Sequence, residues 1–206
     1  MVHKKAFLFI DGSNVYHSLK TNELYYLFTF EWLFEELSKR FEIEKVFYYD
    51  AVKNINIEPE QYAKQQKFHE RLRKQISSIK IRQRKLKYIN TEKKLEEAKK
   101  ISNFCDSCKQ KMGSFLKNSG LHKLSREKGV DVMLVTDMIR AAYQNKYEVA
   151  LIFTGDADFV PAVELVQFLG KEVVNIHCYA GSSGELRTKC DSHLLIDSMN
   201  SNCVLR

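Results

Sequence analysis

The sequence predicts an α/β fold, an open and mainly parallel sheet flanked by helices. Three observations carry this. Short continuous apolar runs such as Ala6–Ile10 and Val149–Phe153 read as strands buried on both faces, as a parallel sheet requires. Stretches with apolar residues at helical spacing separate them. The two signals alternate along the chain, the pattern of βα units. A length of 206 residues suits one domain over 1–206, and an apolar share of 44% is enough for a single sizeable core.

Each element has its own warrant. Ala6–Ile10 is the first strand. Asp11-Gly12-Ser13-Asn14 then supplies turn and cap chemistry for a helix from about Asn14 to Leu19. Leu33, Phe34, Leu37 and Phe41 share one helical face within Phe30–Phe41. Val46-Phe47-Tyr48-Tyr49 is β-branched and aromatic and makes Lys45–Ala51 a second strand. Pro59 stands at a helix start, and Tyr62, Phe68, Leu72 and Ile76 form the thin apolar face of a long basic helix. Ile79–Ile89 alternates and is strongly basic at one end, which suits an edge strand. The stretch 91–126 fits a βα unit poorly: Thr91 caps a helix over 92–104, Cys105-Asp106-Ser107-Cys108 interrupts, and Gly113 and Gly120 break the remainder of the segment. It reads as an insertion. Val132, Val135, Met138, Ile139 and Ala142 form one helical face; Val149–Phe153 is a third buried strand. Val163, Val166 and Leu169 face inward from a helix over Phe159–Leu169 that Gly170 closes. Glu172–His177 is a strand, Ser183–Cys190 a short helix and Leu194–Ile196 a last short strand.

No apolar run approaches the roughly 18 residues of a membrane span, and the Lys pair near the N-terminus precedes a strand, not a signal peptide. Five cysteines without a secretion signal point to free thiols in the cytoplasm. The net charge of +7 is uneven: Lys64–Lys128 holds 20 Lys+Arg against 6 Asp+Glu, a balance of +14, and the remainder is acidic. A basic segment beside an acidic remainder is either a polyanion surface next to a cation site or a solvated lysine-rich face.

Four aspartates concentrate the chemistry. Asp11 closes the first strand, Asp156 and Asp158 follow the third, and Asp131 opens a helix after Lys128-Gly129-Val130. A single Asp after a strand is most simply a helix cap. As a set they repel one another, and a hard divalent cation removes that cost, as in metal-dependent phosphodiester cleavage.

Phe9-Ile10-Asp11-Gly12-Ser13-Asn14, then Lys128-Gly129-Val130-Asp131 with Asp137, then Thr154-Gly155-Asp156-Ala157-Asp158-Phe159-Val160-Pro161, resemble in order and spacing the NYN domain, the LabA-like branch of the PIN-like nuclease superfamily. The resemblance reaches the late Leu186…Cys190-Asp191 pattern and so spans nearly the whole chain. It implies a PIN-like fold, an acidic pocket dependent on Mg²⁺ or Mn²⁺, and RNA as substrate. On that pattern Asp11 is the central ligand, Asp156 and Asp158 complete the cluster, and Asp131 faces them from the helix start. Asn14, with Ser13 nearby, orients a water or phosphate oxygen; Thr154 keeps the hydroxyl that many relatives carry on Ser; Lys128 touches phosphate. Asp137, well inside the helix, is a supporting residue or merely solvated.

Cys105 and Cys108 leave three readings: a structural Zn²⁺ site completed by His122 or a partner chain, a redox pair, or no special role. Tyr62, Phe68 and Tyr88, interleaved with Lys and Arg, either stack on bases or form the apolar faces of their elements. Tyr25-Tyr26-Leu27-Phe28 serves a homodimer interface or the core. The expected function is a divalent-metal-dependent endoribonuclease acting on mostly single-stranded RNA. The alternative is an RNA-binding regulatory module without catalysis. A phosphatase reading lacks its signature, because Gly12-Ser13 follows Asp11 where a second Asp two residues on is needed.

Overall fold

The computed structural model describes residues 3–88, 105–108, 110, 111, 114, 125, 126, 129–199 and 202–206. β1 (Lys5–Asp11) leads into α1 (Gly12–Thr21) and α2 (Phe30–Ser38), followed by β2 (Glu42–Val52), α3 (Pro59–Gln75), β3 (Ile79–Lys85) and β4 (Lys87–Tyr88). The later part holds β5 (Ser125–Arg126), α4 (Val130–Tyr143), β6 (Val149–Phe153), a 3₁₀ turn (Ala157–Phe159), α5 (Val160–Phe168), β7 (Glu172–Cys178), α6 (Gly184–Lys189), β8 (Ser192–Met199) and β9 (Asn202–Leu205).

Seven strands form one sheet in the order β3-β2-β1-β6-β7-β8-β9, all parallel except β9. Alternate side chains of a strand point to opposite faces, and β1 feeds two cores accordingly. Ala6, Leu8 and Ile10 pack with Val15 and Leu19 of α1, Leu33 and Leu37 of α2, and Leu72 of α3. Phe7 and Phe9 pack on the other face with Leu134 and Met138 of α4, Val163 and Val166 of α5, and Leu186 of α6. The Phe9 ring stacks on Phe47 at 5.4 Å between centroids. The result is the three-layer α/β sheet that continuous apolar strands require, and β3, the basic strand, lies at the edge. Among the described residues no helix is long and apolar enough to cross a membrane.

Several elements depart from the sequence reading. β2 begins at Glu42, because its ladder with β1 already starts at Lys5↔Glu42. The strand expected through Ile89 stops at Lys85; Lys87–Tyr88 turns away and pairs antiparallel with Ser125–Arg126. Ile89 and the helix expected over 92–104 lie outside the described residues, as do Gly113 and Gly120. β8 is longer than expected, because β9 folds back on it as a hairpin, and β9 is too short to announce itself. In α4 the inward stripe is Val130, Leu134, Met138 and Ala142, whereas Val132 is 66% exposed. Val132 sits two positions from Leu134, about 200° around a helix, so the stripe cannot hold both.

This phase is testable. Leu134→Ala should lower the unfolding free energy by about 2–5 kcal/mol through lost burial and a residual cavity, while Val132→Ala should stay within about 0.5 kcal/mol. Urea unfolding of both variants measures the difference, and equal effects would mean that α4 is rotated.

Candidate active site

The chain leaves β1 for β2 and β3 on one side, then returns to build β6, β7 and β8 on the other. Such a reversal opens a crevice beyond the carboxyl ends of the two central strands, where open α/β sheets bind ligands. Ile10 pairs with Phe153, so the next residues, Asp11 and Thr154, stand side by side at the mouth.

Asp11 is only 5% exposed. One carboxylate oxygen, Oδ1, accepts from the Asn14 amide at 3.1 Å and caps α1; the other, Oδ2, accepts from Thr154 Oγ1 at 3.2 Å. Asn14 Oδ1 in turn accepts from the Gly155 amide at 2.8 Å, so the loops after β1 and β6 are tied to each other. Gly12 leaves no room for a side chain, since a Cβ there would lie 2.7 Å from the Tyr49 carbonyl oxygen and 2.5 Å from the Tyr48 hydroxyl. Gly155 is under the same constraint: a Cβ would lie 1.9 Å from the Gly181 carbonyl oxygen. Below the crevice Asn175, buried in β7, donates Nδ2 to the Thr154 carbonyl at 2.9 Å. Sequence reasoning misses Asn175, whose signal is a lone amide inside the apolar run Val173–Ile176.

Asp156 caps the 3₁₀ turn, its Oδ1 accepting from the Asp158 amide at 3.0 Å. Asp131 lies in the first turn of α4. The four carboxylates form one electrostatic group. Burial first, and then the charges of Asp131 and Asp156, push Asp11 up to about 6, although the Asn14 and Thr154 bonds oppose the rise. Burial, then Asp156 and Asp158, raise Asp131 as well. Among the described residues no three His, Cys, Asp or Glu side chains form a ready-made metal-binding group. The donor set still suits a hard cation in its chemistry: four carboxylates and no soft ligand, with Asp11 and Asp131 held where burial and like charge disfavour ionisation.

The other expected residues fall in different places. Ser13 is half-buried in the first turn of α1. Asp137 is engaged elsewhere: it accepts from Arg82 Nε at 2.8 Å and from the Tyr49 hydroxyl at 3.2 Å, with Arg140 at 3.6 Å, and so ties α4 to β2 and β3. Asp50 pairs with buried His69 at 2.8 Å and with Gln65 at 2.7 Å. Phe68 packs on Phe30 and Tyr48 as a core residue, and the Tyr88 hydroxyl donates to Glu58 at 2.5 Å. Cys105 and Cys108 are exposed, and hydrogen bonds from the Cys108 amide and side chain lower the Cys105 pKa. Lys128 and His122 lie outside the described residues.

Residues 5–197 match the NYN domain family. The chain belongs to that family. An NYN domain carries the fold of the PIN-like nuclease superfamily, and the mostly parallel seven-stranded sheet between helical layers agrees with it. The crystal structure of a protein of unknown function from Vibrio parahaemolyticus is similar over 98% of this chain and 97% of that one, with a TM-score of 0.64 at 20% sequence identity, a likeness of fold. No curated protein matches the chain.

The Asp11 shift makes stability depend on pH. Its folded value of about 6 lies above the ordinary 3.8, so the folded state of this NYN domain holds the proton more tightly than the unfolded chain. The contribution is fully present below about pH 4 and is lost as pH rises through about 6. Asp11→Asn, which cannot ionise, should be more stable than the parent by roughly 2–3 kcal/mol at neutral pH in EDTA, with the difference vanishing near pH 4. Chemical denaturation across this range reads the gap; a gap that does not change with pH would refute the assignment.

Proposed function

We propose that this NYN domain is a divalent-metal-dependent endoribonuclease that hydrolyses phosphodiester bonds of mostly single-stranded RNA. The observation that carries the reading is the group of four carboxylates at the switch point of a PIN-like sheet, with Asp11 buried and both Asp11 and Asp131 raised by the charges of their neighbours. Asp11, Asp131, Asp156 and Asp158 would hold Mg²⁺ or Mn²⁺. When bound, such an ion offsets the phosphate's negative charge and lowers the pKa of a water. The chain's own residues supply the positioning. Thr154 and the Asn14 amide fix the Asp11 carboxylate, and Asn14 Oδ1 fixes the Gly155 turn from which Asp156 projects. Asp131 and Asp158 are exposed at the rim, where a change of rotamer costs little. Ser13 and the Asn14 Nδ2 group would be neutral donors in this loop for a phosphate oxygen, and Lys128 is the cation the NYN pattern assigns to it. Asp137 supports α4 through Arg82 and takes no part in binding the ion.

RNA as the polyanion is supported by the charge excess of Lys64–Lys128, of which Lys80, Arg84, Lys85 and Lys87 are exposed on β3 and β4. Free thiols at all five cysteines suit a cytoplasmic setting.

Wild-type protein with Mg²⁺ or Mn²⁺ should cleave an unstructured RNA at internal positions, EDTA should stop it, and Asp11→Asn should fall to the no-enzyme background with its fold retained. Full activity of that variant would sink the assignment; tight RNA binding in EDTA with no cleavage under any divalent ion would replace it with a binding module. Independently of turnover, Mn²⁺ at about a hundred times its dissociation constant should stabilise the wild type by about 2.7 kcal/mol and leave Asp11→Asn unmoved. Thermal melts with and without the ion make that comparison.

A further inference from the structure

β3 is an edge strand with two unlike faces. Ile79 and Ile81 pack against the core that also holds Leu72 of α3. Lys80, Arg82 and Arg84 alternate with them and share the other face. The ladder with β2 identifies that face: their partners are Phe47, Tyr49 and Ala51, which pack in or against the core under α4. α4 reaches β3 through Asp137, which pairs with Arg82 at 2.8 Å and leaves that side chain 34% exposed. Lys80 and Arg84, on either side of Arg82, are exposed, and among the described residues neither forms an ion pair. Neighbours in this row are about 6.6 Å apart along the strand. Arg140 of α4, 59% exposed, stands 3.6 Å from the same Asp137, so two arginines share one carboxylate and the group keeps a positive charge. The row leads toward the acidic edge. Arg82 pairs with Tyr49, and Tyr49 with Asp11, so the three lie at one level across the sheet. Arg84 is two residues further toward the carboxyl end, roughly 12 Å from Asp11 by strand spacing.

We propose that Lys80, Arg82 and Arg84 form a phosphate track, a row of cations on one face of β3 that holds the backbone of an RNA strand beside the aspartates. This rests on the nuclease reading and gives its substrate a path. Carboxylates repel phosphate, so affinity for the strand has to come from charge placed outside the crevice. A polymer allows this, because phosphates other than the one cut can be held elsewhere. Three cations in file along a strand suit a chain that repeats its charge, whereas a small anion would meet one of them. A protein partner fits less well: β3 has no exposed large apolar residue to serve as the buried centre of an interface. A second copy docking the same face would set like charges against one another. Cations on an edge strand also deter pairing with other chains. That role alone would leave RNA affinity unchanged when the charges are removed, which separates it from the track.

The test uses the full chain carrying Asp11→Asn, so that binding is read without cleavage, with a fluorescein-labelled unstructured RNA in EDTA and anisotropy measured over a range of salt. Each phosphate contact to a single strand contributes about 0.7 to the slope of log affinity against log salt. Lys80→Gln and Arg84→Gln should therefore each weaken binding roughly fivefold at 0.1 M salt, and the double variant should lower the slope by about 1.4. Arg84→Lys should keep the parent's slope. Lys189→Gln serves as the control, since Lys189 pairs with Glu164 on the other half of the molecule at 2.7 Å, and it should leave affinity and slope unchanged. Thermal melts of the glutamine variants should match the parent, because neither side chain gives up an ion pair. A double variant that keeps the parent's affinity and slope would overturn the track. So would an equal loss in Lys189→Gln, which would mean that only overall charge matters. The two readings fail separately. Cleavage by the wild type with binding indifferent to Lys80 and Arg84 removes the track and keeps the nuclease; binding that depends on them with no cleavage under any divalent ion keeps the track and removes the nuclease.

Discussion

A carboxylate shut away from water has to be solvated by the protein, and the layout of the functional edge depends on how Asp11 is solvated. Its two oxygens take the amide of Asn14 and the hydroxyl of Thr154, one from its own loop and one from the neighbouring strand. Thr154 is placed by Asn175 beneath it, and Asn14 reaches back to Gly155. β1, β6 and β7 are thereby locked at one level by groups that all serve a single side chain. The tightness explains Gly155, whose missing Cβ lets the 179–183 loop close onto it. The same loop reaches the far end of α1, where Asn22 bonds both the amide and the carbonyl of Ala180.

Charge is partitioned along the same lines. α4 carries two aspartates six residues apart with opposite circumstances. Asp137 has Arg82, Arg140 and the Tyr49 hydroxyl, and serves as a tie between α4 and the sheet. Asp131, in the first turn, has other carboxylates for neighbours and the helix N-terminus to offset them. The basic residues of β3 lie two strands away from Asp11, at the sheet edge. They guard that edge against pairing with another chain.

How much of this was legible in the sequence depended on the range of the interaction involved. The buried strands, the order of the elements and the aspartates at strand ends could be read because each is announced by a local run: Ala6–Ile10 before Asp11, Val149–Phe153 before Asp156. β9 and the outward turn of Val132 in α4 could not, although Val135, Met138, Ile139 and Ala142 of the expected face do pack in or against the core. β9 exists because β8 offers it a ladder, and the inward face of α4 is chosen by Phe7, Phe9 and Tyr49 on strands distant in sequence. Among side chains the same division holds. Asp11 declared itself through Gly12-Ser13-Asn14. The stacking candidates near the basic segment, Phe68 and Tyr88, looked available only because their partners Phe30, Tyr48 and Glu58 lie far away in the chain. The exposed tyrosines of α1 and its following loop read as core or interface, since nothing local distinguishes Phe28, which is buried on Phe153, from Tyr26, which is not.

The carboxylates can be sorted by what a cation would change for them. Asp50 already has His69 and Gln65, and Asp137 already has two arginines. Bringing a divalent ion to either would first require breaking contacts that satisfy it, so the net gain would be small. Asp11 and Asp131 are in the opposite position. Burial and mutual repulsion raise both, and the Asn14 and Thr154 hydrogen bonds offset only part of the rise at Asp11. A cation relieves it directly, so the strain held in the cluster adds to binding instead of opposing it. Protons compete for the same relief, and with Asp11 at about 6 the competition becomes serious only below neutral pH. Like charges held close favour a cation but cost the fold stability. The pairing of a raised Asp11 with two sound, uncharged hydrogen bonds is a compromise between those limits, strained enough to favour a cation and bonded enough to keep its geometry without one.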